Sequence, residues 1–139
     1  MTDSTQKEIQ ALGLNAPRIT PERIEATIFS EHYFTALQGV RMACLDTAGE
    51  INDTGRAIMP HYSPLGLLTI CVLVLRNGFT VTGESSCASP ENFNAEIGRK
   101  IARQKAIEKI WPLEGYLLKQ SLSGEIPLFG FNLNNHEGQ

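Results

Sequence analysis

Between Leu67 and Leu75 the chain is an almost unbroken apolar run, LLTICVLVL. Asn77-Gly78 follows, apolar and polar positions alternate from Phe79 to Glu84, and Ser89-Pro90 then opens a stretch with helical spacing. This pattern predicts a strand, a tight turn, a second strand and a long helix. Asn-Gly accepts positive backbone angles at little cost, so a type I′ turn would pair Leu75 with Thr80, Val74 with Val81 and Val72 with Gly83. One sheet face would then carry Ile70, Val72, Val74, Phe79 and Val81 and read as core. The other would set Cys71, Leu73 and Leu75 beside Thr80, Thr82 and Glu84, a mixture that suits a covering strand, a subunit interface or a ligand.

Two helix entries share one spelling. Thr20-Pro21-Glu22 and Ser89-Pro90-Glu91 each offer a hydroxyl N-cap, a proline where its missing N–H costs nothing, and an early carboxylate facing the helix dipole. The first helix is predicted over Pro21 to Phe29, with a short strand at His32 to Thr35. The second is predicted over Pro90 to Trp111, with Phe93, Ile97, Ile101, Ile107 and Trp111 as the stripe that covers the sheet. A separate ridge of Ala95, Gly98, Ala102 and Ala106 would admit a second backbone, from the first helix or from another copy of the chain. Pro112 should end or kink this helix, and Leu113 to Gln120 should form a further segment whose Tyr116, Leu117 and Leu118 close the core.

The remaining segments have weaker patterning. Val40 to Leu45 reads as a short strand, and the region near 46–66, rich in Gly, Asn, Asp and Pro, reads as a long loop within the Ala36 to Gly66 segment. Residues 1–17 read as a flexible arm with the makings of a short helix at Ile9, Leu12 and Leu14. Residues 121–139 read as a loop-like tail whose Leu128, Phe129, Phe131 and Leu133 could lie on a surface. The architecture expected is one α+β domain over 18–120: an antiparallel sheet centred on the hairpin at about 67–87, covered by the long C-terminal helix and a short N-terminal one.

Composition narrows the function classes. Apolar residues make up 42% and charged residues 19%, which suits a packed interior. The net charge of −3 argues against a general nucleic-acid coat. Arg99 and Arg103 share a face that Lys105 and Lys109 leave, so no continuous basic stripe presents itself to a duplex. The longest apolar run falls far short of the ~20 residues a membrane helix requires. Cys44, Cys71 and Cys87 are unevenly spaced and follow no secretory pattern, which points to free thiols in solution.

Recognisable chemistry is sparse. His32, His61, His136 and the cysteines show no metal-ligand spacing, and neither a Walker loop nor a dinucleotide fingerprint is present, so no metal or cofactor is expected. Cys87 lies two residues before a helix cap, where the dipole could lower a thiol pKa and His32 or His61 could act as base, but a small buried cysteine is much the commoner case. Gly83-Glu84-Ser85-Ser86-Cys87 lacks the second glycine of a nucleophile elbow. The run Ser85 to Asn92 joins a strand end to a helix start and can offer hydroxyls and backbone N–H groups to an anion, with Arg99 or Arg103 of another subunit adding charge. Pro90 deletes a donor and Glu91 repels a phosphate, so the same run also reads as a structural cap.

The run NGFTVTGESSCASPENFNAEIGRKIARQKAIEKIWPLEGYLL, Asn77 to Leu118, resembles a family of small accessory proteins of tailed bacteriophages and prophages. The Gly83 to Asn92 run and KIWPLEGYLL carry the likeness, while Ala36 to Gly66 is longer than the link in typical members. The resemblance implies a viral protein acting in the cytoplasm of an infected bacterium, and it brings no established activity or catalytic residues. The expectation is a non-enzymatic accessory protein, forming a homo-oligomer, that binds a host component or a nucleotide-like signalling molecule, one concrete form being counter-defence by sequestration. Its candidate ligand residues are Thr80, Thr82, Glu84, Ser85, Ser86, Ser89, Asn92, Arg99 and Arg103. The alternative is direct inhibition of a host protein, and a small thiol-dependent enzyme is a third reading.

Overall fold

The central hairpin sets the register of the protein, and its turn differs by one residue from the one the Asn-Gly pair predicts. In the computed structural model, which describes residues 3–14, 16–48 and 64–124, strand β2 (Leu68–Leu75) and strand β3 (Thr80–Ser86) are joined by a β-turn closed by Gly78 N–H donating to the Leu75 carbonyl at 2.9 Å. Leu75 N–H then donates to the Phe79 carbonyl at 2.8 Å. Gly78 alone takes a positive φ, +87°, while Asn77 keeps a negative one and uses its side-chain oxygen to accept from Phe79 N–H at 2.9 Å. A three-residue loop ending in a left-handed glycine is the next commonest hairpin after the two-residue type. It pairs Val74 with Thr80, Leu73 with Val81 and Val72 with Thr82.

That one-residue slip turns β2 over against β3: Val81 stays in the core as expected, and the two faces of β2 exchange. The buried face is built from Thr69, Cys71, Leu73 and Leu75 with Val81 and Ser85, and Cys71 and Leu73 are wholly enclosed. Ile70, Val72 and Val74, expected in the core, are half-buried on the opposite face beside Thr80, Thr82 and Glu84. Strand β1 (Ile28–Thr35) adds to the other edge of β2, so the sheet is three-stranded and antiparallel in the order β1-β2-β3. This is an α+β fold.

Helix α1 (Asp3–Ala11) occupies part of the expected arm, and Arg18 donates to the side chain of its buried Gln6 at 2.5 Å. Helix α2 (Pro21–Thr27) begins as its spelling predicts, with the Thr20 hydroxyl accepting from Arg23 N–H at 3.2 Å and Ile24 turned into the core. It stops two residues earlier than expected, where Ile28 enters β1. Helix α3 (Ala36–Ala48) replaces the strand expected at Val40 to Leu45. Its start is a reciprocal cap: Gln38 N–H donates to the Thr35 hydroxyl at 3.3 Å and Thr35 N–H donates to the Gln38 side chain at 2.9 Å. This box fixes a helix where β-branched Val40 alone suggests a strand. Positions 49–63, most of the expected loop with His61, and 125–139, the tail with its four apolar residues and His136, lie outside the described residues.

Helix α4 (Ala95–Ser123) runs unbroken through Pro112 to a left-handed Gly124. Pro112 and Glu108, whose carbonyl the proline leaves without its usual donor, are both exposed, so water can take the place of the missing bond. The helix turns its small ridge inward. Gly98, Ala102, Ala106, Ile110 and Glu114 are its buried positions, whereas Ile97 and Ile101 are 55% and 39% exposed and Tyr116 and Leu117 are also outside. The reason lies in β3: a Cβ at Gly83 would overlap the Ala102 carbonyl oxygen and the Ala106 amide nitrogen. Strand and helix backbones touch there, an approach that only small residues permit.

Three ion pairs, two of them made by Arg103, hold the surrounding elements to α4. Arg103 donates through both Nη atoms to Glu25 of α2, at 3.0 and 2.7 Å, and through Nε to Glu31 of β1 at 2.8 Å. Its hydrogen bonds draw the Glu25 carboxyl below its ordinary range and raise the guanidinium above its own. Burial pushes neighbouring Tyr33 up to about 12, and raises the enclosed Cys71 thiol as well. Arg23 of α2 pairs with the nearly buried Glu114 at 3.2 Å.

Gly83→Ala should therefore lower stability by more than about 3 kcal/mol or prevent folding, because neither backbone can retreat. Gly115→Ala, with open space around the new methyl, should raise stability by about 0.5 to 1 kcal/mol; urea midpoints of the two variants check both signs. For the clamp, a depressed Glu25 pKa contributes stability that is present above its ordinary value of 4.5 and is lost as pH falls through the lower folded value. Arg103→Gln should lower the melting temperature at neutral pH and flatten its decline below pH 4.5, as thermal melts across an acid series would show.

Candidate functional site

The passage from β3 into α4 crosses one end of the sheet in eight residues. Cys87 N–H extends the ladder by donating to the Leu67 carbonyl at 3.0 Å, and the Cys87 thiol donates to the Ser89 carbonyl at 3.2 Å. Pro90–Asn92 forms only a single 3-10 turn, and the Ser89 hydroxyl makes no capping bond. Phe93 is extended, and Asn94 supplies the actual cap, its side chain accepting from Ile97 N–H at 3.1 Å. The Ser-Pro-Glu entry thus starts a turn, and the helix waits for Asn94 because the chain must first step from the edge strand to a position above the sheet.

This step leaves two cavities beside the N-terminal end of α4, each about 210 Å³, with Phe93 and Thr69 lining both. One presents Ser86, Cys87, Asn92 and Asn94 above an apolar wall of Leu67, Ile97 and Ile101. The other presents Arg99 with Thr35, Gln38 and the rings of Tyr33 and Phe34. Thr69, which both cavities share, and its cross-strand partner Ser85, which lines only the first, are both at least nine-tenths buried. Gly98 lies over them, and a Cβ there would come within 2.9 Å of the Thr69 hydroxyl. Hydroxyls, carboxamides, an aromatic ring and one guanidinium therefore converge on a half-open space.

The structure gathers part of the predicted set. Ser85, Ser86 and Asn92 line one cavity and Arg99 the other, with Ser89 shaping the turn between strand and helix through its carbonyl. Thr80, Thr82 and Glu84 lie on the opposite sheet face, and the Thr82 hydroxyl accepts from Lys109 at 3.5 Å. Arg103 is held by Glu25 and Glu31 of its own chain. Phe93, expected in the core stripe, stands half-buried between the cavities, and Thr69 and Asn94 join the site without having been singled out. Asn94 carried a readable signal, an N-cap residue with Glu96 in the first turn. Thr69 carried none, since its place depends on the register.

His32 bonds to Ser30 at 3.0 Å on β1, the edge strand opposite the one that leads to Cys87. Among the described residues no group of three or more His, Cys, Asp or Glu side chains is arranged to hold a metal ion. No helix among them is long and apolar enough to cross a membrane.

Comparison with curated proteins and with solved structures gave no match. A family model does match, over residues 19–122, and these contain α2, the whole sheet, both cavities and nearly all of α4. The chain therefore belongs to the phage protein (N4 Gp49/phage Sf6 gene 66) family.

Proposed function

We propose that this phage protein is a non-enzymatic accessory factor that binds a small signalling molecule of the infected host through the paired cavities at the start of α4, with sequestration of a nucleotide-like signal as its concrete form. The observation that carries this reading is the convergence of Phe93, Asn92, Ser86 and Arg99 around one helix start. A planar base can stack on an aromatic ring, carboxamides and hydroxyls can bond its edge, and a guanidinium can meet a phosphate. Each cavity alone is smaller than a typical ligand pocket, so a second copy of the chain completes the site in this reading. The exposed Ile97 and Ile101 on the cavity rim give that second copy an apolar contact. Glu91 and Glu96 nearby favour a ligand of low net negative charge over a free polyphosphate. The setting proposed is the bacterial cytoplasm.

A second reading has its own support. Phe29 and Phe79 are 69% and 53% exposed, which suits direct contact with a host protein.

Calorimetry against a panel of cyclic and linear nucleotides is expected to give saturable heat with at least one member. Arg99→Ala and Asn92→Ala should each weaken it about tenfold or more without lowering the melting temperature. No heat with any member, together with a stoichiometric protein captured from bacterial lysate and lost in Phe79→Ser, would favour the host-protein reading.

A further inference from the structure

The other half of α4 borders a separate cleft. Between α2, the hairpin turn and α4 lies a cavity of about 230 Å³ lined by Arg23, Thr27, Arg76 and Glu114. Arg23 and Glu114 also line a neighbouring cavity of about 360 Å³, whose other walls include Arg18, Ile19, Leu117 and Leu118. Three arginines thus line these two adjoining cavities, with Arg23 common to both, on a chain whose net charge is −3. Among the described residues the only carboxylate lining the two cavities, Glu114, is already bonded to Arg23.

Each guanidinium is fixed through one nitrogen. Arg23 uses Nε toward Glu114 at 3.2 Å, Arg76 uses Nε toward the Ala26 carbonyl at 2.7 Å, and Arg18 uses Nη1 toward Gln6 at 2.5 Å. A guanidinium carries five N–H donors in a rigid fork, so one anchoring bond orients it and leaves donors for a ligand. Anchored forks are preorganised, which lowers the entropy cost of binding. The apolar side of the larger cavity includes Leu117, which is 53% exposed and has no role in the core. Its volume lies within the range of small-molecule pockets.

We propose that this cleft binds a small phosphorylated organic molecule, with the phosphate between Arg23 and Arg76 and the organic body against Ile19, Leu117 and Leu118. The site is distinct from the cavities at the start of α4 and does not depend on them. Arginine suits phosphate through paired N–H bonds, and the apolar wall adds selection for an organic ester over the inorganic ion.

Phenyl phosphate is the probe that tests this, titrated into the full chain while the arginine Nε–H signals are followed by nitrogen-15 NMR. The expected result is saturable movement of the Arg23 and Arg76 signals, weaker binding of inorganic phosphate, and no movement with phenol. Arg76→Gln should weaken phenyl phosphate about tenfold or more while the fold persists. Absence of saturable movement in the wild-type chain overturns the proposal, and so does equal affinity for inorganic phosphate or unchanged affinity in a folded Arg76→Gln variant. The wild-type titration decides the matter even if the variant does not fold.

Discussion

The contact between Gly83 and the backbone of α4 at Ala102 and Ala106 governs the rest of the molecule. With no side chain between strand and helix, α4 settles on the β2–β3 hairpin along Gly98, Ala102, Ala106 and Ile110. Its rotation is then fixed. Arg103, next to Ala102, is carried toward Glu25 and Glu31, Glu114 is carried toward Arg23, and Ile97 and Ile101 are turned outward. A bulkier ridge would bury more apolar surface for each residue, but it would lift the helix off the sheet and separate these pairs. Close backbone packing recovers part of that loss through dispersion contacts.

Length explains why clefts border both halves of the helix. A helix of 29 residues extends about 1.5 Å per residue, and a strand of eight about 3.3 Å per residue, so α4 outruns the sheet by roughly 17 Å. At its start, the step from Cys87 to Asn94 leaves the two small cavities around Phe93. In its later half, α2 and the segment before it close only part of the space, and arginines line what remains. The middle of the helix is the packed core, and the features with ligand chemistry lie away from it. The partially buried ion pairs serve orientation more than net stability, since desolvation offsets much of their attraction.

Much of the architecture was legible. The apolar run at Leu67 to Leu75, the Thr20-Pro21 helix entry and the helical spacing after Asn94 are local signals, and the structure carries each of them. The Thr35-x-x-Gln38 box is equally local and outweighs the strand preference of the β-branched Val40. Of the candidate site, Ser85, Ser86 and Asn92 could be named because the junction itself is written in Ser, Pro and Asn, whereas Arg99 was expected from another subunit and lines a cavity of its own chain. The arginine cleft could not, because Arg18, Arg23, Arg76 and Glu114 are separated by long stretches of chain and meet only after α2 docks on α4.

What the sequence by itself determined is that a hairpin and a long helix form the scaffold and that a cap at Thr20 opens a helix before it, since caps, turns and periodicity act over a few residues. What only the tertiary structure decided is which face of each element is inside. A hairpin loop of two or three residues is nearly equal in local energy, yet the choice exchanges every side chain between the two faces of a strand. Likewise, a helix with an aliphatic stripe and a small-residue ridge can bury either one. Gly83 settled it, because the only surface that fits against a strand without a side chain there is a helix without large side chains of its own.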